Sequence, residues 1–197
     1  MPAGYMPGSA TVTVTDKGRR HVRRIVDIYL RITDRLAGAA AALAMLLVAA
    51  MICTVLYEIT ARHVFNAPTI WAFDVGYMLN GSLFMLGAAY TLRQDAHVRI
   101  DFVLERLPRR LCDAMQAAFY LLVFAPVLGL ATAFAIGRAR RAFERGTLEN
   151  ASAWEPLVWP FLAALSLGMT LLVLQTVAEG LRHLLALTGT PAPARDR

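Results

Sequence analysis

The chain has 197 residues, of which 57% are hydrophobic and 17% are charged, and its formal net charge is +6. Its basic residues flank long apolar stretches instead of forming a separate domain, which argues against nucleic-acid binding and favours contact with lipid headgroups. With a mean hydropathy of +0.50, the composition also leaves little chain for a soluble domain.

The N-terminal part is predicted to contain two different segments. Residues 1–18 are rich in Gly, Pro, Ser and Thr, and we expect a disordered tail. Residues 19–35 place apolar side chains on one helical face and charged ones on the other, which predicts an amphipathic helix at the cytoplasmic membrane surface. Packing of its apolar face on a partner protein is the alternative. About 35 residues precede the first apolar stretch, so we expect no cleavable signal peptide.

Four stretches without charged side chains follow, at 36–57, 75–92, 114–137 and 156–178. An α-helix needs about 20 apolar residues to cross a hydrocarbon core of roughly 30 Å. We therefore predict an all-α membrane protein with a domain at 36–180 and spans at about 36–57, 70–92, 111–137 and 156–179. Four buried helices of a soluble protein are the alternative, which helices of such length without a polar face disfavour.

The connecting segments carry further signals. Asn66 and Pro68 predict a turn, with Thr69 as the N-cap of the second span. Between the second and third spans, apolar residues at helical spacing predict a short amphipathic helix that ends at Pro108. Small residues spaced by four, such as Ala164 and Gly168, favour close helix contacts.

The distribution of basic residues predicts the orientation. Of the 20 Lys and Arg residues, five lie in the first and third loops, and the others flank the opposite ends of the spans. Positive charge is concentrated on the cytoplasmic side, so both termini, including the tail at 181–197, are predicted to be cytoplasmic. Four of the five exceptions lie in the third loop, among three glutamates.

The chain offers little chemistry. All four histidines lie outside the predicted spans, and paired carboxylates, phosphate-binding loops and metal-ligand spacings do not occur in the sequence. Cys53 and Cys112 are single cysteines that we interpret as packing residues. We therefore expect no enzyme activity, no cofactor and no metal. The polar candidates within the spans are Asp74, Asn80, Ser82 and Gln175.

Asp74 is the candidate that a transport role would require. It lies near the start of the second span, where the helix dipole favours a carboxylate. We interpret it as a wetted interfacial residue or a partner of Arg62, and a transport site is the alternative. Asn80 lies deeper and is predicted to hydrogen-bond across a helix contact.

Four sequence features together resemble the small integral-membrane subunit, of the DctQ type, of tripartite ATP-independent periplasmic (TRAP) transporters. The resemblance covers roughly residues 36–178. The features are RHVFNAP at 62–68, which begins with Arg62; Trp71 followed by Asp74; LGAAYTLRQDAHVRID at 86–101, which includes His97, Arg99 and Asp101; and LERLPRR at 104–110. Members often carry a Glu or two adjacent acids after the tryptophan, where this chain has one Asp.

The resemblance implies a non-catalytic subunit in a bacterial inner membrane. Its partners would be a large many-helix permease subunit, a periplasmic protein that binds an organic acid, and membrane lipids. A small subunit of this kind supports the large one, which moves substrate with an ion gradient. Within this frame Arg62, Trp71 and Asp74, with His97, Arg99 and Asp101, are expected to contact the partner or to tie down the chain's own loops.

Two other functions remain open from the residues themselves. One is a membrane anchor of a redox enzyme, which the absence of histidines in the spans disfavours. The other is a self-sufficient small transporter that acts as an oligomer and depends on Asp74.

Overall fold

The structure is a computed structural model that describes the backbone of residues 11–94, 109–150 and 152–187. Side chains are described for residues 24–94, 111–150 and 152–187. The predicted amphipathic helix before Pro108 therefore lies outside the described residues.

Helices account for most of the described chain. Helix α1 spans Thr11–His63 and α2 spans Ala72–Arg93. Helix α3 (Arg109–Ala118) continues through a π-helical segment (Phe119–Phe124) into α4 (Ala125–Arg145). Helix α5 spans Trp159–Leu187. The all-helical prediction is confirmed for the described residues, where an isolated β-bridge between Leu148 and Leu157 is the one strand-like pairing.

The described helices pack side by side. Helix α2 packs against α1 and α5, α1 also contacts α5 directly, and α5 packs against α3 and α4 as well. The helices thus form a layer in which α5 has the most neighbours. A small apolar core of Ala40, Ala44 and Leu86 lies between α1 and α2. Apolar side chains on the outer faces stay exposed, such as Leu130 on α4 at 66% and Phe73 on α2 at 84%.

Two glycines allow α2 and α5 to approach closely. A Cβ added at Gly168 would lie 2.6 Å from the backbone carbonyl carbon of Met85, and one added at Gly81 would lie 2.7 Å from the ring of Phe161. Small residues let membrane helices gain dispersion energy by bringing their backbones together. The predicted role of Gly168 in a helix contact is therefore confirmed.

The π-helical segment has a local cause in Pro126. This proline occupies the first turn of α4, where it has no N–H to donate and its ring would clash with the carbonyl four residues earlier. A π-turn widens the helix just before the proline and relieves that clash. The widened turn packs on α5, because a Cβ at Gly180 would lie 2.6 Å from Cγ of Leu121.

Three described helical segments are long and apolar enough to cross a membrane: Arg24–His63, Leu111–Arg145 and Trp159–Leu187. They contain the first and third predicted spans and all but the first three residues of the fourth. Helix α2, with 22 residues, contains Asp74, Asn80 and Arg93 and is not one of these three segments. Its crossing of the bilayer stays a prediction.

The N-terminal segments differ from the sequence-based boundaries. Helix α1 is continuous from Thr11, so it includes residues assigned to the disordered tail and shows no break at residue 36. No proline occurs between Thr11 and His63 to interrupt it. A helix of 53 residues is about 80 Å long, roughly twice the thickness of a bilayer. Part of α1 must therefore lie outside the hydrocarbon core or along its surface.

Candidate functional site

Five charged and polar side chains from three helices meet at the end of the layer where α2 and α5 terminate. We call them the inner polar cluster. Its members are Asp34 from α1, Arg93 from α2, and Gln175, Glu179 and Arg182 from α5.

Arg182 is the centre of the inner polar cluster. Its Nη2 donates to Oδ2 of Asp34 at 2.5 Å, and its Nη1 donates to Oε1 of Glu179 at 2.6 Å. The amide nitrogen of Gln175 lies 3.1 Å from Oε1 of Glu179 and 3.5 Å from Oδ1 of Asp34. Arg93 completes the group, with its Nε 3.7 Å from Oδ1 of Asp34.

The cluster is almost inaccessible to solvent. Gln175 is 0% exposed, Glu179 is 2% and Arg182 is 7%. Two carboxylates balance two guanidinium groups, so the cluster is formally neutral and avoids the large cost of burying a net charge. Within the described part of the chain, two of its polar atoms have no hydrogen-bond partner, Oε1 of Gln175 and Nε of Arg182. Neutral ion pairs of this kind are suited to fixing helices in one arrangement.

Further polar contacts join α5 to its neighbours close to the cluster. The hydroxyl of Tyr29 donates to the carbonyl of Leu174 at 2.9 Å, which attaches α1 to α5. On the other side of α5, Nδ1 of His183 lies 3.1 Å from Oδ1 of Asp113 on α3. The His183 ring also stacks on Tyr120 of the π-helical segment, with 6.1 Å between centroids. Helix α5 is thus tied to α1, α3 and the π-helical segment.

At the opposite end of the layer, Glu58 ties the loop between α1 and α2 to α1. Its Oε1 accepts a hydrogen bond from Nη2 of Arg62 at 2.6 Å, and its Oε2 accepts one from the backbone N–H of Thr69 at 3.1 Å. The hydroxyl of Thr69 also donates to that Oε2. The predicted N-cap role of Thr69 is therefore wrong, because its hydroxyl is bound to Glu58 and α2 begins at Ala72.

Asp74 lies in the first turn of α2, and Trp71 lies just before that turn. The Trp71 ring packs on that of Tyr57 at 5.6 Å between centroids, which brings the start of α2 against α1. Arg62 pairs with Glu58 and not with Asp74. Asp74 is 7% exposed, and its Oδ2 has no hydrogen-bond partner in the described part of the chain. The interpretation of Asp74 as a wetted residue does not fit this burial.

Arg62 and Trp71 lie at the same end of the layer, where each contacts a neighbouring residue of α1, Glu58 and Tyr57 respectively. His97, Arg99 and Asp101 lie outside the described residues, and their roles stay predictions. In the described ranges, no group of three or more His, Cys, Asp or Glu side chains is arranged to hold a metal ion.

Sequence reasoning missed most of the inner polar cluster. Asp34 was assigned to the polar face of a surface helix, and Arg93 to a loop. Glu179, the last residue of the fourth predicted span, was not among the polar candidates, yet it is buried against Arg182. The sequence does contain a signal for the cluster. Gln175, Glu179 and Arg182 follow each other at helical spacing and therefore share one face of α5.

Three long apolar helices, two of them joined with α2 by a neutral polar cluster, define a small multi-helix membrane protein. Residues 51–186 match the family described as "Tripartite ATP-independent periplasmic transporters, DctQ component". The chain therefore belongs to the DctQ family, whose members are transporter subunits and not enzymes. The resemblance seen in the sequence is confirmed.

Two curated proteins are similar to parts of the chain. "Sialic acid TRAP transporter small permease protein SiaQ" of Vibrio cholerae is 24% identical over 110 residues, which cover 55% of this chain and 63% of that protein. "Sialic acid TRAP transporter permease protein SiaT" of Haemophilus influenzae is 33% identical over 67 residues, which cover 34% of this chain and 11% of that protein. The chain thus matches less than two thirds of either relative. No solved structure matches it.

Proposed function

We propose that this chain is the small permease subunit of a TRAP-type secondary transporter that imports an organic acid with an ion gradient. It crosses the bacterial inner membrane four times, with both termini in the cytoplasm, and it braces a large permease subunit. A periplasmic substrate-binding protein delivers the acid to that complex. Family membership and the similarity to the two sialic acid TRAP proteins support this assignment.

The observation that carries the proposal is the layer architecture. In the most apolar stretch of each long helix, only 6%, 6% and 22% of the residues are buried by the described chain. Most of the surface of these helices is therefore available to lipid or to another subunit. An ion pathway would need polar groups at depth that face a cavity. The inner polar cluster is instead closed and formally neutral, as suits a rigid brace.

One outward surface has chemistry that suits a protein partner better than lipid. Asn80 lies midway along α2 and is exposed, and its amide makes no hydrogen bond in the described part of the chain. Acyl chains cannot bond an amide, whereas a neighbouring membrane helix can. Gly76, one turn away, has open space where a Cβ would be. Both residues line a groove between α1 and α2 that also contains Thr54 and Phe73.

Copurification tests this assignment. The chain is coexpressed with the large TRAP permease of its own organism, with an affinity tag on the large protein. Wild-type chain is expected to copurify, and Gly76→Trp or Asn80→Leu is expected to reduce its recovery several-fold. Leu130→Trp, on the exposed apolar face of α4, is the matched control and should change nothing. Failure of the wild-type pair to associate would overturn the proposed function.

Proteoliposomes separate this function from that of a self-sufficient transporter. Vesicles that contain only this chain are expected to show no uptake of organic acids under a sodium gradient. Uptake by the chain alone would contradict the proposed supporting role and favour transport through the chain's own helices.

A further inference from the structure

The end of α4 carries three arginines that the proposed function does not use. Arg138, Arg141 and Arg145 are exposed, and they recur at spacings of three and four residues, so they share one face of the helix. They form no salt bridge in the described part of the chain. Arg140, on another face, pairs with Glu144 at 2.7 Å. An unneutralised group of three cations on one face requires an explanation.

These arginines line an open cavity of about 470 Å³ between α4 and the loop that follows it. We call it the arginine cleft. Its other lining residues are Ala142, Thr147, Leu148, Glu149, Asn150, Val158 and Leu162. One part of the wall is therefore cationic and polar, and another part is apolar.

The loop is folded so that it forms the second wall of the arginine cleft. Gly146, with a φ of 57°, ends α4 in the left-handed conformation, and the N–H of Thr147 then donates to the carbonyl of Ala142 at 3.1 Å. Glu149 N–H donates to the carbonyl of Pro156 at 2.9 Å, and Val158 N–H donates to that of Thr147 at 3.1 Å. The first bond closes the end of α4, and the other two pair the two arms of the loop with each other beside that helix.

The position of the cleft places it at the edge of the apolar layer. Phe143 and Trp159 pack edge to face beside it, with ring centroids 5.3 Å apart, and α5 starts at that tryptophan. Tryptophan at a helix end marks the level of the lipid headgroups. The helix dipole favours a cation in the last turn of α4, which accounts for Arg145 but not for Arg138, two turns earlier.

We propose that the arginine cleft binds a phosphate group. Guanidinium groups match phosphate oxygens with paired, charge-assisted hydrogen bonds, and three of them on one face can neutralise one phosphate. The apolar wall fits the glycerol and upper acyl region of a phospholipid, and inorganic phosphate has the same recognition chemistry without that wall. The carboxylate of Glu149 opposes an anion, so the balance of charge in the cleft depends on all three arginines.

Binding is measured on the full-length chain in a neutral detergent, followed by tryptophan fluorescence. The probes are short-chain phosphatidylglycerol, diacylglycerol with the same tails, and inorganic phosphate. We expect phosphatidylglycerol to bind and diacylglycerol not to bind. The variant with Arg138→Gln, Arg141→Gln and Arg145→Gln should bind at least about tenfold more weakly, because it loses three charge-assisted contacts. Arg140→Gln, on the same helix but outside the cleft, is the control and should bind like the wild type.

The probes distinguish the two sources of phosphate. Competition by inorganic phosphate at equal potency would assign the site to a free anion, and its failure to compete would assign it to a lipid headgroup. Equal phosphatidylglycerol binding by wild type and triple variant would overturn the proposal, as would an equal loss in Arg140→Gln. Absence of binding by both phosphate probes would also overturn it and leave an acidic protein surface as the partner of the arginines. Binding is tested without the large permease, so its outcome is independent of the proposed function.

Discussion

Arg182 and Asp34 are 148 residues apart in the chain, yet Nη2 of the arginine lies 2.5 Å from Oδ2 of the aspartate. Both side chains are buried, at 8% and 10% exposure. This ion pair attaches the last helix to the first, and Glu179 and Gln175 complete its hydrogen bonding from the α5 side.

Arg182→Met should strongly destabilise the chain, because it leaves Asp34 and Glu179 buried next to each other without their shared cation. Removal of one partner from a buried ion pair costs about 3–5 kcal/mol. The double variant Asp34→Leu, Arg182→Met should recover part of that loss, since one uncompensated charge is also gone. The free energy of unfolding in detergent measures both. Additive losses from the two substitutions would show that the pair is not coupled.

Gly168→Ala should separate α2 from α5. The added methyl would lie 2.6 Å from the carbonyl carbon of Met85, and backbone cannot move aside as a flexible side chain can. Overpacking of this kind typically costs about 1–3 kcal/mol. Gly129→Ala is the control, because a Cβ there meets nothing within 4 Å. Thermal unfolding should show a lower midpoint for Gly168→Ala only, and an equal shift in both variants would contradict the close helix contact.

Glu58→Gln should loosen the loop between α1 and α2. The amide keeps one acceptor but loses the charge that bonds Arg62 and Thr69 at the same time. We expect faster amide hydrogen exchange at residues 64–71, with unchanged exchange in α5. Glu144→Gln, which breaks the exposed i,i+4 pair with Arg140, is the control and should leave that loop unaffected. Unchanged exchange in Glu58→Gln would show that other contacts hold the loop.

Asp74→Asn should leave transport by the assembled complex intact. The carboxylate is buried with one oxygen unpartnered in the described part of the chain, so a neutral amide of similar shape removes a desolvation cost while losing the attraction of the helix dipole. These effects oppose each other, and we expect a stability change within about 1 kcal/mol. Uptake of the organic acid by reconstituted complex is the decisive measurement. Abolished uptake with normal assembly would support a transport site at Asp74.

The amino-acid sequence was sufficient to predict the helical character of the described residues and the family. Charge-free stretches of this length have few stable alternatives to a helix in a membrane, because each backbone N–H and C=O must be satisfied within its own segment. The charge-free stretches at 36–57 and 114–137 accordingly lie within two of the long apolar helices, and the stretch at 156–178 lies within the third except for its first three residues.

Only the tertiary structure decided which polar residues meet. Asp34 and Arg93 look like ordinary interfacial charges in the sequence, since a helical pattern specifies the face of a residue but not the helix that faces it. The same limit applied to Thr69, whose local position suits an N-cap but whose hydroxyl is bound to Glu58 from another helix. Local rules act over one or two turns, whereas the ion pair of Arg182 with Asp34 depends on how α1, α2 and α5 pack side by side.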